Sequence, residues 1–462
     1  MIIMEEKQMK PTVNLGEGSV GKLLWKLALP AIIAQMVNLL YNMVDRIYIG
    51  HIPETGDLAL TGLGLCFPII MIVSAFSSLV GAGGAPQVAI AMGRGEKERA
   101  EKILGNCFAS LLVIAVVLTI ILELVGEPIL WLFGASEATL PYALDYMRIY
   151  VAGNLAVMIA LGMNPFITTQ GFAQIAMKTV LIGAVCNIVL DPIFIFALEM
   201  GVKGAATATV ISQAVSALWV VLFLTGKKTQ LRIRKENLKI TPKVMLPVLA
   251  LGVSPFIMSA TESILNIAFN SSLSKYGGDV AVGAMTILSS IMQLQFMPTQ
   301  GLAQGAQPII SYNYGAKNME RVKKTYHLLF IACTAYTLIF WGVVQLMPEM
   351  FVRIFNKSSQ ELIETTTWAL RIYLAVSGLF GIQMAVQQTF VSLGQAKLSL
   401  LIACLRKIIL LIPLIFILPL FFEDKVFAVF LAEPVADFIS VCIAALLFML
   451  NIKKILQIPK EI

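Results

Sequence analysis

Apolar residues run in long blocks along this chain. The polar residues that interrupt them fall between blocks or recur at helical spacing inside them. Twelve blocks lie at about 23–50, 58–84, 101–125, 141–168, 173–198, 205–225, 245–274, 281–307, 322–347, 364–390, 398–421 and 426–452. Each has roughly the 20 residues needed to cross a bilayer. In lipid, backbone N–H and C=O groups must be satisfied within the segment, so every block predicts a helix. A β-barrel would instead alternate in-out polarity over segments of about ten residues. The expected fold is all-α: a polytopic membrane protein of twelve transmembrane helices.

Composition agrees with that pattern. Of 462 residues, 58% are hydrophobic and 13% are charged, about half the charge of a soluble protein. This excludes a soluble globular chain, a disordered chain and a secreted disulfide scaffold. A net charge of +7 would suggest nucleic acid in a soluble protein. Here the bases sit in short loops and at block ends: Lys7, Lys10, Lys22 and Lys26 up to the start of the first block, Arg94, Lys97, Arg99 and Lys102 after the second, and Lys227, Lys228, Arg232, Arg234, Lys235, Lys239 and Lys243 after the sixth. Lys317, Arg321, Lys323 and Lys324 follow the eighth block, and Lys453, Lys454 and Lys460 follow the last. With twelve spans all of these fall on one side. The positive-inside rule then predicts a multi-pass plasma-membrane protein with both termini cytoplasmic, with the bilayer and not nucleic acid as its partner. Met1 to Gly21 lacks the basic start, short apolar stretch and cleavage site of a signal peptide, so none is expected. The cysteines Cys66, Cys107, Cys186, Cys333, Cys404 and Cys442 lie within apolar runs without a CxxC pair and read as small core residues.

The chain repeats itself. Pro86, Gly93, Glu98, Arg99 and Lys102 match Pro308, Gly315, Glu320, Arg321 and Lys324 at one offset, as Phe133 matches Phe355. Arg148-Ile149-Tyr150 matches Arg371-Ile372-Tyr373, Gly171 matches Gly394, and Pro30 matches Pro255. Two lobes are expected, 1–225 and 244–462, joined by a basic cytoplasmic linker at 226–243. Six helices per lobe is an even number, so both lobes enter the membrane in the same direction. They are parallel repeats about an axis along the membrane normal, with a central cleft.

Polar groups inside the spans are expensive, about 2.5–3.5 kcal/mol per charge on insertion scales. Gln35, Asn38, Asn42 and Asp45 share one face of the first helix. Asn187 and Asp191 share a face of the fifth, followed by Pro192, which frees a backbone carbonyl one turn earlier. The sixth offers Thr207 and Thr209. Two carboxylates with amide and hydroxyl oxygens suit a hard cation, Na⁺, with Asp45 and Asp191 as its ligands, or a shared proton. A bland reading pairs Asp45 with Arg46 near the outer surface and leaves Asp191 at a break before Pro192.

The second lobe differs. Asn270 stands at the repeat position of Asp45, and Leu414 near that of Asp191. Ser259, Glu262, Asn266 and Asn270 share one face of the seventh helix. Gln293, Gln300, Gln304 and Gln307 lie in the eighth, and Gln383 and Gln387 in the tenth. Glu262 is suited to a cationic substrate, to a proton, or to a hydrogen bond with a glutamine. Glu433 and Asp437 flank Pro434 in the last helix and read equally as solvated helix-breaking structure. Arg406 and Lys407 are expected to snorkel to the cytoplasmic side. The cleft-side methionines Met36, Met43, Met258, Met285, Met292, Met297 and Met384 suit a promiscuous apolar pocket or plain filler.

Gly16-Glu-Gly-Ser-Val-Gly21-Lys22 fits a phosphate-loop pattern, but Leu23 follows where Ser or Thr is needed and no strand precedes it. It reads as a helix cap. His51 and His327 have no zinc or catalytic spacing. No catalytic constellation is seen, so no enzyme is expected.

Twelve helices in two parallel lobes, Asn42-Met-Val-Asp45 with Gly50, Pro30 ahead of Asp45, Asn187-x-x-x-Asp191-Pro192 and the repeated Gly…Glu-Arg loops resemble the multidrug and toxic compound extrusion (MATE) family over about 15–455. The bacterial drug-efflux branch is the nearer. The resemblance implies export of organic cations and amphipathic drugs in exchange for Na⁺ or H⁺, with no other cofactor. It implies a first-lobe cation site of Asp45, Asn187, Asp191 and Thr209. Some members also use acids in the second lobe. Glu262 resembles their seventh-helix acid, but glutamines stand where they have a tenth-helix aspartate. The expected function is a monomeric secondary antiporter, with Gln35, Asn38, Asn42, Glu262, Asn266, Gln293, Gln383 and Gln387 along the cavity and hinges at Pro30 and Pro192. The alternative is a flippase for lipid-linked saccharides, for which Arg46, Arg148, Arg371 and Arg406 are the candidate bases.

Overall fold

The computed structural model describes residues 13–355 and 359–457. Lys7, Lys10 and Lys460, used above for orientation, lie outside them. Among the described residues, nine helices are long and apolar enough to cross a membrane. Two bent pairs, Leu140–Ala152 with Asn154–Thr169 (59°) and Gln360–Tyr373 with Ser377–Ser392 (47°), each supply one more. One of the nine, Pro242–Gly315, is 74 residues long. A straight helix of that length would span about 110 Å, several bilayer thicknesses. It folds back at Gly278, whose φ of 62° and ψ of −157° only glycine adopts without strain. Twelve spans result.

They are numbered in chain order: α1 (Val20–Gly50), α2 (Gly56–Gly93), α3 (Lys97–Leu132), α4 (140–169), α5 (Ala173–Ala197), α6 (Gly201–Thr225), α7 (242–277), α8 (279–315), α9 (Met319–Leu346), α10 (360–392), α11 (Ala396–Leu420) and α12 (Lys425–Gln457). A short helix, Pro348–Phe355, precedes α10 where the apolar pattern gave only a loop. Several helices outrun their apolar blocks, because a helix continues past the hydrocarbon region wherever its polar end meets water.

Side-chain packing follows the repeat. One core cluster links residues from Ile49 to Val248, and another links residues from Leu265 to Ala436. A third joins Leu23, Leu24 and Leu27 of α1 to Leu302, Ala306 and Ile309 of α8. Gly171 and Gly394, matched in sequence, both take positive φ (84° and 69°) in the turns before α5 and α11. The lobes meet closely near the face that carries the loops 94–96, 226–241 and 316–318, called here the basic face. There a Cβ on Gly83 would strike the Val248 carbonyl, one on Gly252 the Leu79 carbonyl, and one on Gly305 the backbone of Ala28. Phe76 packs edge-on against Phe256 at 5.0 Å. Farther from that face, Asn42 and Met43 on α1 and Glu262 and Asn270 on α7 are exposed. The two lobes thus form a cleft closed at the basic face.

Candidate functional site

Asp45 comes from α1, Asn187 and Asp191 from α5, and Thr209 from α6. All four are buried, Asp191 completely. Pro192 has no N–H to continue the α5 ladder. A five-residue π-helical turn, Ile193–Ala197, follows it, a feature frequent at functional sites. The Asn187 amide donates to Asp191 Oδ1 at 3.2 Å and to Thr209 Oγ1 at 3.4 Å. The Asp45 and Asp191 carboxyls face each other closely enough for a proton on one to hydrogen-bond to the other.

Three buried oxygens here have no donor: Asp45 Oδ1, Asn187 Oδ1 and Asp191 Oδ2. Leaving a buried acceptor unsatisfied costs about 1–3 kcal/mol, more for a charged one. Among the described residues neither acid has an ion-pair partner within 4 Å. Arg46 is exposed and lies over the Phe67 ring at 5.9 Å. The expectation that Asp45 merely pairs with Arg46 is therefore not met. Burial, two acids and unpartnered oxygens together could hold a small cation.

The sequence reading missed two members of this site. Tyr146 of α4 is buried near Thr209 and Asp45, and Tyr41 lies beside Asn42 within the field of both acids. Tyr41 stands one turn before Asp45, a spacing that marked it in principle. Tyr146 gave no local signal, since only the α4 fold places it. Thr207, offered beside Thr209, points away and donates to the Lys203 carbonyl at 2.7 Å. Gln35 and Asn38 are half-buried, and Asn42 donates to the Asn38 carbonyl at 2.7 Å. Pro30 lies inside α1, which stays helical through it.

The second lobe corrects three expectations. Arg406 and Lys407 do not snorkel; each is only 6% exposed. A seven-residue π-helical turn, Leu405–Leu411, carries them in the middle of α11, and acids compensate them there. Arg406 donates from Nε to Asp437 Oδ1 and from Nη2 to Glu433 Oε1, both at 2.6 Å. Glu433 and Asp437 are accordingly buried within α12 and are not solvated. Glu262 does not bond a glutamine: it pairs with the Lys407 ammonium, which also donates to the Met258 carbonyl at 2.7 Å.

The remaining candidates divide. Asn266 donates to the Glu262 carbonyl at 3.0 Å, and Gln293 is exposed. Gln387 donates to Ser254 Oγ at 2.7 Å, while Gln383 Oε1 is buried without a donor. Both glutamines line a small chamber with Met258, Phe380, Met384, Ala403, Arg406 and Lys407. In and just before the Gly16–Lys22 stretch, the carbonyls of Leu15, Glu17 and Gly18 accept from Arg321 at 3.4, 3.1 and 2.7 Å. That loop docks the chain's entry segment onto the second lobe.

The MatE family profile matches residues 30–193 and 255–417, one match in each lobe. The chain is 24% identical over 429 residues to the multidrug export protein MepA of Staphylococcus haemolyticus, covering 92% of this chain and 94% of that one. The MATE multidrug transporter DinF-BH, solved as a complex, superposes with a TM-score of 0.89 at 34% identity over 98% of this chain and all of that one. A MATE family transporter in an outward-facing conformation superposes with a TM-score of 0.90 at 24% identity over 97% and 99%. The chain belongs to the MatE family.

Proposed function

We propose that the protein is a secondary active multidrug exporter of the plasma membrane. It exchanges H⁺ or Na⁺ for cationic or amphipathic drugs by alternating access. The observation that carries this reading is the buried Asp45–Asp191 pair, whose two donorless oxygens lie with that of Asn187. Such a pair takes one proton between its carboxyls, or Na⁺ among Asp45 Oδ1, Asp191 Oδ2, Asn187 Oδ1 and Thr209 Oγ1. The export of drugs by the relatives named above supports the substrate class. The chain acts as a monomer with both termini cytoplasmic. Its lobes are 1–225 and 244–462, with 226–243 as linker.

In this mechanism the cation enters from the side opposite the basic loops and neutralises the acid pair. Pro30 and Pro192 are where α1 and α5 give way as the lobes rock. Coupling requires that ion and drug prefer different states, since a ligand with equal affinity for both shifts nothing. A tenfold ion gradient supplies about 1.4 kcal/mol per ion, and 100 mV adds about 2.3 kcal/mol per charge. The glutamines and methionines of α7, α8 and α10 offer adaptable contacts to unlike drugs. Of the four bases a flippase for lipid-linked saccharides could offer a diphosphate, Arg406 is held by two acids, while Arg46, Arg148 and Arg371 are exposed.

Uptake of a fluorescent organic cation into inverted vesicles tests the proposal. Imposed H⁺ and Na⁺ gradients are applied separately. Uptake driven by one gradient and collapsed by the matching ionophore is expected. Uptake indifferent to both gradients rejects ion exchange.

A further inference from the structure

The second lobe encloses a charge cluster whose count does not balance. The ionisable groups that face it are Glu262 from α7, Tyr373 from α10, Arg406 and Lys407 from α11, and Glu433 and Asp437 from α12. Three carboxylates meet two cations. Lys407 and Glu262 match one to one, and Glu262 is half open to the cleft. The surplus negative charge therefore sits at the Arg406 fork, where one guanidinium serves both Glu433 and Asp437. Arg406, Glu433 and Asp437 are all more than nine-tenths buried, so water cannot screen the surplus.

A second observation points the same way. Gln383 is 5% exposed, its Oε1 has no donor, and it opens on the chamber that Arg406 lines. The site has an unfilled acceptor as well as an unmatched charge. A metal ion does not fit. The guanidinium occupies the space between the two carboxylates, its other face is covered by the Phe380 ring at 5.2 Å, and no oxygen cage remains.

We propose that the Arg406–Glu433–Asp437 fork of the second lobe is a proton-binding site, with the proton carried on Glu433 or Asp437. Taking up the proton turns one carboxylate into a carboxylic acid and makes the cluster neutral. Its release restores the single negative charge. The site is separate from the Asp45–Asp191 pair and does not depend on that pair binding an ion.

Infrared spectroscopy of the full chain in lipid nanodiscs at neutral pH tests this. Asp45→Asn/Asp191→Asn serves as the background, so that the first-lobe acids contribute nothing. A deuterium-sensitive carboxylic-acid C=O band is expected in that background. It should lose one carboxyl's intensity when Glu433→Gln is added, and equally when Asp437→Asn is added instead, since either change balances the cluster. Two variants guard against one failing to fold. A background without the band overturns the site, and so does a band that survives both substitutions. Drug transport does not enter this reading, so failure of the exchange mechanism would be seen separately.

Discussion

The backbone of Gly93 at the end of α2 lies against the Tyr312 carbonyl of α8, so closely that any Cβ on Gly93 would overlap it. Gly315, its repeat mate, meets the Ile90 carbonyl of α2 in the same way. The lobes are thus in backbone contact at the basic face, and glycine is what permits the approach. Gly93→Ala and Gly315→Ala should each force the helix ends apart. Overpacking of this kind costs about 1–3 kcal/mol, a roughly 5- to 150-fold shift toward states open on that face. Spin-label distances between the 94–96 and 316–318 loops should lengthen in both variants. Unchanged distances would mean that the contact does not hold that face shut.

Arg321 reinforces the same closure. It reaches Asn313 Oδ1 at 3.1 Å as well as three carbonyls of the entry segment. The groups are partly exposed, so the expected worth is modest, about 1–2 kcal/mol. Arg321→Met should raise protease or label access to residues 13–19 by about tenfold, while leaving ion binding at the first lobe unchanged.

Removing the guanidinium from the second-lobe fork should be costly. Arg406→Met leaves Glu433 and Asp437 buried without a cation, a loss of about 3–5 kcal/mol. Thermal unfolding in detergent should show a clear drop. The triple change Arg406→Met/Glu433→Gln/Asp437→Asn should recover much of it, because no charge is then left unpaired. A single variant as stable as the parent would show that the fork carries no stabilising burden.

Much of this architecture was legible in the sequence because a bilayer leaves few options. Apolar length gives spans, and the Gly93/Gly315 and Gly171/Gly394 registers give the repeat. Asp45 and the Asn187–Asp191 pair were visible because an acid inside a span is expensive and needs a reason. What stayed hidden depended on neighbours far away in the chain. Arg406 and Lys407 looked like snorkelling bases until α7 and α12 brought Glu262, Glu433 and Asp437 to them. The gap between the blocks ending at 274 and starting at 281 already marked the Gly278 fold-back, whereas Tyr146 enters the site only through the bend of α4.

Asn187 and Thr209 are expected to tune the ion and not to define the site. Asn187→Ala or Thr209→Ala removes one ligand oxygen while leaving both acids. Each should weaken apparent ion affinity by about tenfold, roughly one charge-assisted interaction, with maximal transport nearly unchanged. Ion titration of vesicle uptake gives the midpoint. A loss of maximal rate at unaltered midpoint would assign these residues to another step.

The most direct measurement is ion-driven uptake of a fluorescent cation by Asp45→Asn and Asp191→Asn, each reconstituted in vesicles at the same protein density as the parent. Background uptake in both variants, with the protein folded and inserted, is the predicted result. Parental rates in either variant would contradict an exchange site at this pair.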